Sequence, residues 1–163
     1  MTAPSPKAVF INADPVAVFA VLADLQNRDR ILSRVNKVVS VSPLPVQSGT
    51  VAVEARTSPL ARNRHLRIET FAPPHTLTLS RRLLGIRLQL TLHIQSKAGG
   101  TSVSLEATGN AWFLPSSATQ SIANGWIREM ERYLKDIRRH AEPRANPNWS
   151  PSLSGNDSPS SLQ

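Results

Sequence analysis

The chain has 163 residues, 40% of them hydrophobic, a net charge of +8 and no cysteine. That length allows one domain with a real core, and the missing thiols exclude disulfides, zinc–thiolate centres and cysteine nucleophiles. No apolar run approaches the roughly 20 residues that span a bilayer. Met1 to Lys7, with two prolines and no apolar stretch, does not read as a secretory signal, so a cytoplasmic protein is expected.

From Lys7 to Asn12 the chain is rich in strand formers at Val9, Phe10 and Ile11, which predicts a first strand. Asp14-Pro15 then starts a helix. The carboxylate accepts otherwise unpartnered N–H groups, and proline at the first helical position gives up no hydrogen bond. Val16, Phe19, Ala20 and Leu22 to Ala23 give it a buried side up to about Asp24. A second short helix is predicted from Leu25 to Ser33, with Arg28, Asp29 and Arg30 outward and Ile31 or Leu32 inward.

After Val35 the period changes to two. Val38 to Val41 form a strand ended by Pro43 and Pro45, and Gly49 opens another. There Val51, Val53 and Ala55 lie on one side, with Thr50, Ala52, Glu54 and Arg56 on the other. Ser58-Pro59-Leu60-Ala61 breaks that run. Arg64, Leu66, Ile68 and Thr70 alternate with His65, Arg67, Glu69 and Phe71 up to Pro73-Pro74. Leu77 and Leu79 follow with the same alternation, which Arg81 continues, and the chain turns near Gly85. Ile86, Leu88, Leu90, Leu92 and Ile94 make the cleanest alternation, and Ala98-Gly99-Gly100 turns it into a last strand carrying Val103, Leu105 and Ala107. One apolar and one wet face predict an antiparallel sheet.

Ser116 to Ala141 reads as one long amphipathic helix. Ala118, Ile122, Trp126, Ile127, Met130, Tyr133, Leu134, Ile137 and Ala141 recur in steps of three and four, with Glu129, Arg132, Lys135, Asp136 and Arg139 largely on the other side. Gly125 within it invites a close approach by a strand or ligand, or reflects drift. Residues 142–163, rich in Pro, Ser and Asn and with Trp149 as their one aromatic, bury too little apolar surface to order and read as a disordered tail.

A strand, two short helices, six strands and a long helix is the order of the helix-grip fold. With Ile11-Asn12-Ala13-Asp14-Pro15-Val16-Ala17-Val18-Phe19, Leu22-Ala23-Asp24-Leu25, Gly49, Phe71-Ala72-Pro73-Pro74 and Gly99-Gly100-Thr101-Ser102-Val103, the chain resembles the START-like (SRPBCC) superfamily in its polyketide cyclase/dehydrase and lipid-transport branch. It departs after Asp24, where that branch often carries a tryptophan and this chain has Arg28-Asp29-Arg30-Ile31. The resemblance implies an α+β domain over residues 1–141, a curved seven-stranded antiparallel sheet wrapped around the C-terminal helix. It also implies a deep apolar pocket between them for lipids, polyketides or similar molecules, without implying catalysis.

On strand and helix parity the pocket lining is Arg64, Leu66, Ile68, Leu79, Arg81, Leu88, Leu90, Ile122, Trp126, Met130 and Tyr133, with Trp112 and Phe113 at its mouth as lids or as ordinary packing at the helix start. The mouth is expected where the Gly85 turn, the 58–62 loop and the start of the long helix gather. Arg81 stands out: a guanidinium aimed into the concave face must be paired, anchor a ligand carboxylate or phenolate, or reach back to water. His65, His75, His93 and His140 lack the spacing of a metal pair, and no metal or cofactor is expected. Binding or transport of a hydrophobic small molecule (lipid or polyketide-like), neutral or anionic, is the leading reading. Its rivals are an aromatase or cyclase in the same pocket, and a basic module for RNA, a ribosome or anionic lipid. The last rests on the charge excess between residues 56 and 87, where Arg56, Arg62, Arg64, Arg67, Arg81, Arg82 and Arg87 stand against the single acid Glu69, with Arg67, Arg82 and Arg87 of outward parity as its basic face. Two or more polar groups converging inside the pocket favour the cyclase; an apolar interior favours carriage.

Overall fold

A computed structural model describes residues 7–31, 37–55 and 62–141. The elements are β1 (Lys7–Ile11), α1 (Pro15–Ala23), α2 (Arg28–Ile31), β2 (Val38–Ser42), β3 (Val51–Glu54), β4 (Arg64–Ala72), β5 (Thr76–Leu83), β6 (Ile86–Lys97), β7 (Gly100–Asn110) and α3 (Ser116–Ala141). The strands form one antiparallel sheet in the order β1-β7-β6-β5-β4-β3-β2, so the first strand closes beside the last and the chain then meanders back to β2. With α3 buried against it, this is the expected helix-grip architecture. The expected tail, the 58–61 break and the end of the second helix at Leu32 and Ser33 lie outside the described residues.

The local signals act as their chemistry dictates. Asp14 caps α1, its Oδ1 accepting from the Val16 N–H at 2.8 Å, with Pro15 at the first turn. The buried side of α1 is Val18, Phe19, Leu22 and Ala23. Val16 and Ala20 are exposed, which corrects the expected face: four residues apart, they share the solvent side of α1.

The alternation of β6 is reproduced in full, Ile86, Leu88, Leu90, Leu92 and Ile94 all pointing into the core. Facing them on α3 are Ala123, Trp126, Met130, Tyr133, Leu134 and Ile137. α3 makes backbone contact with the sheet at Gly109, where a Cβ would stand 2.4 Å from the Thr119 carbonyl oxygen, so only glycine lets the helix rest on β7 there. At Gly125, by contrast, the nearest atom to such a Cβ is the Arg128 Nη2 at 3.8 Å, so no strand presses on it. Gln120 donates to the Ala107 carbonyl and Lys7 of β1 pairs with Glu131, fastening α3 to the β7–β1 side of the sheet.

The β3 face is the exception to apolar-in, polar-out. Thr50, Ala52 and Glu54 are the buried side, while Val51 and Val53 are only half-buried. That reversal places a carboxylate inside the wrap.

Candidate ligand-binding site

Two polar clusters sit between α3 and the β3–β5 flank of the sheet. In the first, Arg81 of β5 lies between Leu66 of β4 and Leu88 of β6 and points inward, its side chain 11% exposed. Its guanidinium stacks 4.3 Å from the centre of the Trp126 ring and donates through Nη2 to Glu129 Oε2 at 2.9 Å. Glu129 also draws in Arg64 of β4 at 3.6 Å, so one half-exposed carboxylate holds two arginines from neighbouring strands. The Arg81 Nε is buried and has no hydrogen-bond partner. Burial pushes the Arg81 pKa below the usual guanidinium value against the pull of Glu129, with Arg64 and Arg28 adding to the downward push. Arg81 is therefore a mostly enclosed and incompletely satisfied cation at the rim of the wrap.

The second cluster was not legible from spacing. Arg28 of α2, expected to face outward, is buried: its Nε lies 3.1 Å from Glu54 Oε1, the side chains 8% and 5% exposed, and its guanidinium sits 4.5 Å over the Tyr133 ring. The physical reason is that Glu54 enters the core from β3 and needs a counter-charge, which α2 is placed to supply. The two atoms are close but off line, so neither makes a well-directed hydrogen bond and the attraction is chiefly coulombic.

Tyr133 is pushed up to about 12, first by burial, with Arg28 pulling it down and Glu54, Asp24 and Glu129 pushing it further up. Its phenol is thus protonated at neutral pH. Because it is the chain's only tyrosine, tyrosinate absorbance reports on it alone. Alkaline titration of the native protein is expected to show no ionisation near pH 10 and a midpoint near 12. Between those values the unfolded chain loses its proton while the native one keeps it, so stability falls as pH rises. The loss is about 2–3 kcal/mol from the two-unit difference, and Tyr133→Phe should abolish it. A native midpoint near 10 would mean that the ring is not enclosed.

Of the residues expected to line the pocket, Leu66, Ile68, Leu79, Leu88, Leu90, Trp126 and Met130 all face one another, each at most 2% exposed. A water-sized sphere touches almost none of their surface from outside or from any void within, so their side chains fill the space between sheet and helix in this conformation. Ile122 is half-buried beside them and Arg64 lies at the rim. Trp112 is 95% exposed and Phe113 half-exposed, so neither packs into that space. The sequence reading lacked Arg28, Glu54 and Glu129. The signal for Glu129 was available, a carboxylate one helical turn from Trp126 on the flank nearest the inward arginines. The other two meet through tertiary contact.

Among the described residues no cluster of metal-ligating side chains is present, and no helix is long and apolar enough to cross a membrane. Residues 7–142 match the family model described as polyketide cyclase / dehydrase and lipid transport. No curated protein matches the sequence. The crystal structure of Ara h 8.0201 is similar with a TM-score of 0.65 at 11% identity, over 83% of this chain and 94% of that one. The di-domain ARO/CYC BexL from the BE-7585A biosynthetic pathway gives 0.61 at 15% identity, over 85% of this chain and 49% of that one. CalU16 from Micromonospora echinospora gives 0.56 at 18% identity, over 83% and 74%. At these identities the likeness establishes a shared fold.

Proposed function

Because the chain belongs to the polyketide cyclase/dehydrase and lipid-transport family, we propose that it binds a hydrophobic small molecule carrying an anionic or phenolic group between the concave face of the sheet and α3. Arg81 is its anchor. The observation that carries this reading is the state of Arg81: largely enclosed, stacked on Trp126, with one nitrogen unpartnered and its charge met by a carboxylate that is itself half in solvent. Glu129 occupies the position that a ligand carboxylate would take, and swinging it outward frees both Arg81 and Arg64. The apolar body of the ligand would then part Leu66, Leu79, Leu88 and Leu90 from Trp126 and Met130. Binding on this reading is coupled to opening of the wrap, because those side chains now fill the space.

Anilinonaphthalene sulfonate, an apolar anion whose fluorescence rises in dry surroundings, is a direct probe. Arg81→Met is expected to weaken its binding by about tenfold or more, the value of a charge-assisted contact. Glu129→Gln, which removes the competing carboxylate, should tighten it. An affinity within about twofold of wild type in Arg81→Met, under about 0.5 kcal/mol, would rule Arg81 out as the anchor. Native mass spectrometry of gently purified protein would identify a co-purifying ligand.

A second reading, cyclase chemistry in the same space, is favoured by one observation: Arg28, Glu54 and the protonated Tyr133 converge inside the wrap. A protonated phenol there can donate to a carbonyl or enolate oxygen. Turnover of a linear poly-β-ketone, followed by the absorbance of the cyclised product, separates catalysis from carriage.

A further inference from the structure

A second surface, adjoining the rim of the concave site, carries its own charge and apolar pattern. A groove of about 960 Å³ along β4–β6 reaches Arg64 and Arg81 at the rim of that site, and the outward-facing part of its wall carries Arg62, Arg67, Arg82 and Arg87. Glu69 is the carboxylate within it, 3.5 Å from Arg87 and 3.9 Å from Arg67, and among the described residues no carboxylate pairs with Arg62 or Arg82. Arg82 stands directly opposite Arg87 in the β5–β6 ladder. Like charges so placed weaken a sheet, and an anion lying over them would remove the repulsion.

The β5–β6 turn just beyond that pair is apolar. Leu84 is 89% exposed and holds a left-handed backbone, φ +49, which costs a branched side chain energy and suits Asn or Gly. Gly85 leaves its side-chain space to the Phe113 ring, which would lie 3.3 Å from a Cβ there, and Trp112 meets Phe113 edge to face at 5.6 Å. Two loops that meet at Gly85 and Phe113 thus present Leu84, Phe113 and Trp112 as an exposed apolar cap, with Arg82 and Arg87 in the strands leading to it.

We propose that this end of the molecule docks on an anionic lipid bilayer. Leu84 and Trp112 enter the interfacial layer, where tryptophan is favoured, and Arg82, Arg87, Arg62 and Arg67 face the headgroups. A single-stranded nucleic acid would also use arginines and aromatic rings. It gives no use to a leucine kept exposed in a strained turn, whereas a bilayer does. The proposal stands on the outward arginines and the exposed Leu84 and Trp112, and uses neither Arg64 nor Arg81 of the concave site.

Flotation with vesicles of phosphatidylcholine alone, or with about 30 mol % phosphatidylglycerol, tests it. The protein is expected to float with the anionic vesicles and not with the neutral ones, and partitioning should drop by about tenfold as NaCl rises from about 0.05 to 0.3 M. The double variant Arg82→Ala with Arg87→Ala should bind about 25-fold more weakly, at about fivefold per arginine, and the matching lysine pair should keep binding. Leu84→Asn with Trp112→Ser should lose about tenfold or more while Leu84→Asn alone keeps or raises the melting temperature, since Asn tolerates the left-handed backbone. All four side chains are exposed, so native circular dichroism is expected throughout. Equal binding to neutral vesicles overturns the proposal. Unchanged binding without the apolar cap also overturns it, as that is plain coulombic adsorption. Preferential capture by a labelled single-stranded RNA over the vesicles assigns the face to nucleic acid and overturns it too.

Discussion

Arg28→Ala is expected to cost about 3–5 kcal/mol of stability in urea unfolding, because it strands the Glu54 carboxylate in the core without its counter-charge. The ion pair, 3.1 Å apart and nearly free of solvent, also loses the guanidinium that covers the Tyr133 ring. Replacing both partners with apolar side chains of similar volume, Arg28→Met with Glu54→Leu, should return stability to within about 1–2 kcal/mol of wild type or above it. Desolvation offsets most of what the buried pair contributes. The comparison is informative beyond stability. If the double variant folds as well as wild type, the pair is not what holds the fold, and its role lies in chemistry or in gating the space beside Tyr133. A cost below about 1 kcal/mol for Arg28→Ala alone would show that Glu54 reaches water or another partner.

Trp126→Ala should be nearly as damaging, at about 3–5 kcal/mol for the loss of a fully buried indole and the void left behind. The residue is 1% exposed and carries Arg81 on its face, so the substitution removes the packing of α3 on the sheet and uncovers the cation at once. The void should accept indole. Added at several times its dissociation constant, indole is expected to raise the melting temperature of Trp126→Ala in a concentration-dependent way and to leave wild type unchanged. No response to indole would mean that the helix collapses onto β5 and β6. That in turn would place the flexibility needed for ligand binding in α3 itself.

The elements whose patterns were legible are those with a long period and one clear buried face. β6 alternates without interruption over Ile86 to Ile94, and α3 repeats its apolar residues over seven turns, so each proclaims which side is buried. The inward parity of Arg64 and Arg81 followed from the same counting. β3 was harder. Its buried residues, Thr50, Ala52 and Glu54, are less apolar than the half-buried Val51 and Val53, so hydrophobicity along the strand favours the wrong face. α2 has only four residues, too few to display a helical face, and the burial of Arg28 depends on Glu54, twenty-six positions away in the chain. Such a pair is set by where two elements meet in space, and one-dimensional spacing carries no record of it. The side chains filling the concave space are equally beyond parity, which reports direction and says nothing of depth.

The bare Cα of Gly109 has a mechanical consequence. With the backbone of Thr119 seated on it, the Gln120 amide bonded to Ala107, and Glu131 held by Lys7, α3 is clamped along β7 and β1. On the opposite flank the polar ties of β4 and β5 to the helix run through the long side chains of Arg64 and Arg81, which can lengthen or let go without breaking a ladder. The rod acts as the fixed jaw and the β3–β5 rim as the moving one, so a guest arriving from the Arg81 side spreads the sheet and leaves the helix where it lies.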